Sequence, residues 1–185
     1  MGKTSLPKLS PVKLVVLVAI GTALYGLGGL LSVPVFANTY LKPAMAILAL
    51  WAAVYGPVVG FLVGLLGHFI TDLCYGSVWW TWALGSGLVG ILIGLYPYIT
   101  GNKLADGVFG SKEIVVFIIL SFVANFVGYM ISAILDTILF AEPFNKVITQ
   151  QLITATSNTV CIGIIGSILM KLFAKRNVAG ANLED

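Results

Sequence analysis

Charged residues are scarce in this 185-residue chain, since Asp, Glu, Lys and Arg together make up only 9% of it. A soluble domain of this length would carry roughly a quarter. Hydrophobic residues account for 59% of the sequence, and the mean hydropathy is +1.04. This balance excludes an ordinary soluble domain and indicates an integral membrane protein.

Residues that carry out chemistry are also few, because the chain has one His and two Cys. It contains no Gly-x-x-x-x-Gly-Lys-Ser/Thr loop with which to bind and hydrolyse ATP. His68 has no nucleophile partner at a recognisable spacing, and one His with two distant Cys is a poor ligand set for nickel, cobalt or zinc. We therefore expect neither an enzyme nor a metal site, with no catalytic residue and no cofactor bound by this chain.

Long uncharged stretches predict the transmembrane helices. Five such stretches, 14–41, 43–71, 73–102, 114–135 and 147–170, each exceed the ~20 residues that cross the hydrocarbon layer. Turn signals at Tyr55-Gly56-Pro57 and Gly76-Ser77 divide them further into individual spans. The second span reaches only about 20 Å as a helix, so a re-entrant segment is the alternative there. The sequence predicts an all-α integral membrane bundle, a single membrane domain over residues 1–185, with six spans at about 12–31, 43–55, 57–74, 80–100, 113–140 and 146–173.

Basic residues set the predicted orientation. With six spans, eight of the ten Lys and Arg residues lie on the side of the two termini, and only Lys42 and Lys146 lie opposite. Since basic residues favour the cytoplasmic side, we expect cytoplasmic termini and a multi-pass protein of a prokaryotic plasma membrane. The chain then lies in membrane lipid, and its basic residues require no nucleic-acid partner.

Polar side chains concentrate in the outer half of the predicted bundle, whereas the inner half is almost entirely Gly, Ala and aliphatic residues. In the fifth span they form one stripe at helical spacing from Asn125 to Asp136. We expect a polar, aromatic-lined cavity that is open to the outside and suits a small heteroaromatic solute. The predicted binding residues are Asn38, Tyr40, Trp79, Trp80, Asn125, Tyr129, Asp136, Gln151 and Asn158.

In this hypothesis the aromatic residues stack on the solute, the amides hydrogen-bond to it, and Asp136 orients a ring nitrogen or an amine. His68 and Asp72, four residues apart on one face of the third span, either contact the solute or satisfy each other as a buried pair. The tryptophans are also typical of an interfacial aromatic belt, and the fifth-span stripe is also typical of interhelical hydrogen bonding. The motifs Gly60-x-x-x-Gly64-x-x-Gly67 and Gly90-x-x-x-Gly94 predict close helix packing.

Four segments carry a resemblance to a known family. They are Ala19-Ile20-Gly21-Thr22-Ala23, Tyr55-Gly56-Pro57-Val58-Val59-Gly60-Phe61, Gly67-His68 with Asp72, and Trp79-Trp80-Thr81-Trp82. With these residues the chain resembles, over about residues 10–175, the substrate-binding S components of energy-coupling factor (ECF) vitamin transporters. It is most similar to the subfamily with hydroxymethylpyrimidine, pyridoxine-like or riboflavin substrates.

The resemblance implies a six-helix subunit that captures a vitamin from outside and docks on a membrane scaffold, the T component, which two ATP-binding subunits drive. It implies that Ala19 and Ala23 contact the scaffold and that the partner subunits use the ATP. The family's ligand site lies in the loop after the first span and in the outer parts of the fourth to sixth spans, which leaves His68 and Asp72 outside it. Hydroxymethylpyrimidine or pyridoxine is the first expected substrate, and riboflavin or another vitamin is the second. The alternative from another class is an autonomous proton-coupled carrier that uses His68 and Asp72.

Overall fold

Helices dominate the part of the chain that this computed structural model describes, which is Leu6 and residues 8–181. Within that part the chain makes six helical passes, and five of them are long and apolar enough to span a membrane. The predicted membrane bundle is therefore confirmed. The helices are α1 (Pro11–Gly28), α2 (Met45–Tyr55), α3 (Pro57–Tyr75), α4 (Trp80–Ile93) with the short α5 (Tyr96–Thr100), α6 (Ser111–Phe140), and α7 (Phe144–Cys161), which continues through a π-helical turn (Ile162–Gly166) into α8 (Ser167–Ala181).

A β-hairpin follows α1, where the all-α prediction placed only a loop. Its strands are β1 (Val33–Phe36) and β2 (Thr39–Leu41), paired antiparallel. The run Val33-Pro34-Val35-Phe36 is rich in the β-branched and aromatic residues that favour strands. Asn38 has φ 53° in the connecting turn, a left-handed conformation that Asn tolerates better than most residues. The hairpin is a departure from the prediction, and it reaches over the end of the bundle where the polar residues lie.

The short helix α2 lies in the centre of the bundle rather than on its lipid-facing surface. Met45, Ala46, Leu48, Ala49, Ala52 and Ala53 are all at most 1% exposed. Its 11 residues rise only about 16 Å, which is about half of the hydrocarbon thickness. The chain turns from α2 into α3 at Gly56, where φ is +91° and Pro57 begins the next helix. Because α2 is short, it leaves space in the bundle beyond its N-terminus, near Lys42, which lines the cavity described below.

Glycines let α3, α4 and α6 approach one another at backbone distance. A Cβ atom added to Gly60 would collide with the carbonyl oxygen of Gly90, and one added to Gly64 would collide with that of Ser86. A Cβ added to Gly128 of α6 would lie 2.9 Å from the oxygen of Gly85. The predicted role of the glycine motifs in helix packing is confirmed, since no larger side chain fits at these crossings.

The end of the bundle away from the hairpin is closed by apolar side chains. Tyr96, Phe109 and Phe117 pack on one another, with ring centroids 5.6–6.4 Å apart, and Phe117 meets the other two rings edge to face. Ile162 and Met170, beside them on the last pass, are 0% exposed. The polar end lies opposite, and there the cavity opens.

Candidate ligand-binding cavity

A cavity of about 420 Å³ opens at the end of the bundle where α3 and α6 end and where α4 and α7 begin. The hairpin forms one side of it. The ends of the four helices form its other sides. The polar residues near those ends therefore face one another outside the apolar core. The lining residues are Asn38, Thr39, Tyr40, Lys42, His68, Asp72, Tyr75, Ser77, Trp79, Trp82, Tyr129, Asp136, Glu142, Lys146, Val147, Gln150 and Thr154.

The structure brings seven of the eleven residues singled out for the solute site to this cavity. They come from the hairpin, from α3, from the α3–α4 connection and from α6, and helix packing gathers them at one end. His68 and Asp72 are among them, so α3 contributes to the cavity although the family resemblance left that helix outside the ligand site. The seven are Asn38, Tyr40, His68, Asp72, Trp79, Tyr129 and Asp136.

The other four predicted residues do not line the cavity. The indole of Trp80 is 45% exposed and packs on Phe140, as expected for an interfacial aromatic belt. Asn125 and Asn158 are fully buried, and the Asn158 amide donates to Asn125 Oδ1 over 3.1 Å. Gln151 donates to the carbonyl oxygen of Phe126 over 3.1 Å. These amides join α6 to α7, as the interhelical hydrogen-bonding alternative describes.

Asp136 holds three side chains of the α3–α4 connection and of α4. Its carboxyl group accepts hydrogen bonds from Trp79 Nε1 at 2.9 Å, from Thr81 Oγ1 at 2.5 Å and from Trp82 Nε1 at 2.5 Å. Both carboxyl oxygens are therefore engaged, although the sequence predicted that Asp136 would orient the solute. In the described structure Asp136 orients the two indole rings that line the cavity.

Aromatic rings form two walls of the cavity. Tyr40 of β2 stacks on Tyr75 of α3, with ring centroids 5.9 Å apart and an interplanar angle of 14°. Trp82 packs against Tyr129 with centroids 5.3 Å apart. Tyr75 and Trp82 were not among the predicted binding residues. The signal for Tyr75 is its spacing, because it follows Asp72 by three residues and so extends the same face of α3.

Beneath the cavity, a chain of buried hydrogen bonds leads from His68 into the core. His68 Nδ1 lies 2.5 Å from Ser86 Oγ, which lies 2.8 Å from the Tyr129 hydroxyl and 3.3 Å from the Tyr25 hydroxyl. His68 Nε2 lies 3.5 Å from Asp72 Oδ1. Ser86 was missed because a serine in a Gly-rich span is typical of plain helix packing.

Two lysines bring positive charge to the cavity. Lys146 pairs with Glu142 over 2.7 Å near the rim. Lys42 is partly buried after β2, and among the described residues no carboxylate lies within 4.0 Å of it. Burial lowers the pKa of the Lys42 ammonium group, and the charge of Asp72 offsets part of that shift. The cavity thus offers both hydrogen-bond donors and acceptors.

Side chains from two helices hold the hairpin against the cavity. The Gln150 amide of α7 donates to the carbonyl oxygen of Ala37 over 2.7 Å. Ser32, before β1, lies 3.2 Å from the Tyr75 hydroxyl of α3. Access to the cavity therefore depends on the position of the hairpin.

Ala19 and Ala23 lie away from the cavity, on the exposed side of α1. The larger side chains around them are also exposed, namely Val12, Val15, Val16, Ile20, Leu24 and Leu27. Two small residues one turn apart leave a groove that a partner helix can enter. The structure thus places both alanines on an exposed surface, and their docking role stays a prediction.

Comparison with known proteins gives one family. A family model described as "ECF-type riboflavin transporter, S component" matches residues 9–175. A UPF0397 protein of Vibrio atlanticus (strain LGP32) is 54% identical over 94% of this chain and 97% of its own length. A UPF0397 protein of Lactococcus lactis subsp. cremoris (strain NZ9000) is 40% identical over 96% of this chain and 98% of its own length.

Proposed function

The chain belongs to the family of ECF-type transporter S components, and we propose that it captures a small aromatic vitamin or vitamin precursor from outside the cell. Membership makes it an integral, multi-pass membrane protein and the substrate-binding subunit of an ECF transporter, not an enzyme. The substrate is proposed as hydroxymethylpyrimidine or a pyridoxine-like compound first, and riboflavin or another vitamin second.

The observation that carries this proposal is the cavity at the outer end of the bundle. Its volume of about 420 Å³ lies within the range of about 300–1,000 Å³ found for ligand pockets. The Tyr40–Tyr75 and Trp82–Tyr129 pairs supply flat apolar surfaces, and polar groups between them supply direction. Aromatic rings with a few hydrogen-bonding groups suit a heteroaromatic ligand.

Family membership implies the partners, and the exposed face of α1 offers a surface for docking. We propose that Ala19 and Ala23 dock on a T component, and that two ATP-binding subunits use ATP to drive release of the vitamin inward. The apolar closure around Tyr96, Phe109 and Phe117 supports this division of labour, because these packed rings fill the opposite end of the described bundle. The chain alone then binds its substrate, and transport requires the partners.

Isothermal titration calorimetry of the purified full chain tests the binding proposal. Hydroxymethylpyrimidine, pyridoxine and riboflavin are titrated separately, and one of them is expected to bind at one site per chain. Tyr75→Ala removes one member of a stacked pair and is expected to lower the affinity roughly 3- to 10-fold. Tyr98→Ala is the matched control, because Tyr98 is 48% exposed, Tyr75 is 51% exposed, and Tyr98 is not part of the cavity. If none of the three compounds binds, the three named substrates are wrong.

Reconstitution in liposomes separates an ECF subunit from an autonomous carrier. The compound that binds is expected to accumulate only when the T component and both ATP-binding subunits are present with ATP. Uptake by this chain alone, driven by a proton gradient, would instead support a carrier that uses His68 and Asp72.

A further inference from the structure

We propose that His68 and Asp72 form a donor–acceptor pair at the cavity floor. This pair recognises the edge of a planar heterocycle that bears a hydrogen-bond acceptor beside an N–H donor. Ser86 positions the pair by fixing the tautomer of His68. The pair has this role only if the cavity binds a ligand as proposed above. Ser86 does not line the cavity, so it acts as a positioning residue.

The tautomer follows from counting donors and acceptors around Ser86. A serine hydroxyl donates one hydrogen bond and accepts two. Three groups surround Ser86 Oγ within hydrogen-bonding distance, which are His68 Nδ1, the Tyr129 hydroxyl and the Tyr25 hydroxyl. Ser86 is 0% exposed, and Tyr25 and Tyr129 are 1% exposed, so water does not compete with these contacts.

We assign both tyrosine hydroxyls as donors to Ser86. The two hydroxyls also lie near each other, but the further acceptor that both can reach is a poor one. The alternative for each hydroxyl is Met45 Sδ, at 3.3 Å from Tyr25 and 4.0 Å from Tyr129. A thioether sulfur accepts hydrogen bonds only weakly. The two tyrosines then fill both acceptor positions of Ser86, which leaves the serine to donate its single hydrogen to His68 Nδ1. A hydrogen on Nδ1 would give Ser86 three donors for two lone pairs.

With Nδ1 accepting, the imidazole hydrogen lies on Nε2. Nε2 is 3.5 Å from Asp72 Oδ1, beyond the usual N–H···O range. The other oxygen, Asp72 Oδ2, accepts the backbone N–H of Trp79 over 3.0 Å. Oδ1 therefore stays available as an acceptor, and an N–H donor stands beside it. Both residues line the cavity, so the two groups are presented to a ligand together.

A ligand matches this pair when it carries the opposite pattern along one edge. An amino group next to a ring nitrogen does so, because the nitrogen accepts from Nε2–H while the amino group donates to Asp72. A ring lactam or imide also does so through its C=O and N–H. Rings held between Tyr40–Tyr75 and Trp82–Tyr129 would present such an edge to the floor. The inference thus assigns an amidine-like or imide edge to the substrate.

Histidine NMR tests the tautomer without any ligand. His68 is the only histidine in the sequence, so protein labelled with ¹⁵N-histidine and purified without a polyhistidine tag gives an unambiguous signal. The expected result is a single tautomer with hydrogen on Nε2 in the wild type. Ser86→Ala is expected to give a mixture of tautomers, and Ser86→Thr, which keeps the hydroxyl, is expected to restore Nε2–H. Ser121→Ala is the matched control, because Ser121 is also 0% exposed and its Oγ has no hydrogen-bond partner among the described residues. Hydrogen on Nδ1 in the wild type would overturn the inference.

Paired ligands test the recognition by calorimetry. Hydroxymethylpyrimidine is compared with the same compound whose amino group is replaced by hydrogen, and riboflavin is compared with riboflavin methylated at its imide nitrogen. In the pair that binds, loss of the N–H donor is expected to lower the affinity about 10- to 100-fold, and Ser86→Ala is expected to reduce that ratio. Equal affinities for a compound and its analogue without the N–H donor overturn this inference and leave the proposed function standing. Binding of pyridoxine alone likewise overturns this inference and leaves the proposed function standing, because pyridoxine has no N–H donor beside its ring nitrogen. Failure of pyridoxine and of all four compounds to bind contradicts the proposed substrates, while the tautomer measurement is unaffected.

Discussion

Replacing Asp136 with asparagine removes one acceptor from a buried cluster and leaves the shape of the side chain almost unchanged. The carboxyl group accepts from Trp79 Nε1, Thr81 Oγ1 and Trp82 Nε1. In the asparagine one oxygen becomes an NH₂ group, which is a donor. If the amide oxygen keeps Trp79 and Thr81, the NH₂ group faces the indole N–H of Trp82, and that hydrogen bond is lost.

The expected cost follows from the contacts of the lost acceptor. A hydrogen bond to a charged group contributes about 1.5–3 kcal/mol, and a buried donor left without a partner costs about 1–3 kcal/mol. Trp82 is only partly buried and Trp79 is 41% exposed, so solvent recovers part of the loss. We expect Asp136→Asn to lower the free energy of unfolding by about 2–3 kcal/mol. Because both indoles line the cavity, the ligand affinity is expected to fall at least about tenfold, which corresponds to 1.4 kcal/mol.

The assay combines equilibrium unfolding of the purified protein in detergent with calorimetric titration of the compound that binds the wild type. Asp106→Asn is the matched control, because Asp106 is exposed in the loop between α5 and α6. Glu142→Gln is a second control, since Glu142 lines the same cavity but pairs with a lysine near the surface and such pairs contribute at most about 1 kcal/mol. Wild-type stability and affinity in Asp136→Asn would refute the role of Asp136 in holding the indoles.

Three further predictions concern the docking face, the hairpin and the cavity charge. Ala19→Trp or Ala23→Trp is expected to abolish transport by the reconstituted complex while leaving ligand binding intact, because an indole fills the groove between two small residues. Gln150→Ala removes the bond that holds the hairpin to α7, so ligand release is expected to be roughly fivefold faster for a loss of about 1 kcal/mol, as measured by stopped-flow dissociation. Burial lowers the pKa of Lys42 in the folded protein, so the unfolded chain binds more protons just below the ordinary lysine pKa of about 10.4. Stability should therefore rise with pH in that range, and Lys42→Met is expected to remove the rise in unfolding measurements.

The first two of these predictions have a control, and all three have a result that contradicts them. Ile119→Trp places an indole on an exposed position of α6 and is expected to transport normally, and normal transport by both alanine variants would contradict docking at α1. Gln151→Ala removes the neighbouring amide, which faces α6 instead of the hairpin, so faster release in this variant alone would contradict the role of Gln150. An unchanged pH profile in Lys42→Met would show that another group produces the rise.

The amino-acid sequence was sufficient for the architecture, because the physics of a bilayer leaves few choices. Backbone N–H and C=O groups in hydrocarbon must be satisfied within a helix or a closed barrel. Uncharged stretches such as 114–135 therefore predict helices with little ambiguity. The same reasoning placed the polar residues at one end, since polar groups inside a membrane are costly unless they face one another or a cavity. The glycines at close crossings were predictable for an equally general reason.

The hairpin was not predictable from the same reasoning. Its strands have three or four residues, too few for periodicity to distinguish them from a loop. They are stabilised by contacts with distant helices, such as the bond from Gln150 to Ala37. Such contacts exist only once the bundle has formed.

The sequence by itself determined that this chain is a helical membrane bundle with its polar residues gathered at one end, because hydropathy acts on each segment independently of the others. Only the tertiary structure decided which of those residues face the cavity. Gln150 and Gln151 are adjacent in sequence, yet one binds the hairpin and the other binds α6, because successive helical residues point about 100° apart. Likewise, whether Asp136 is free for a ligand depends on three donors from another part of the chain. The rotation of each helix about its own axis is set by packing against its neighbours, and hydropathy does not encode it.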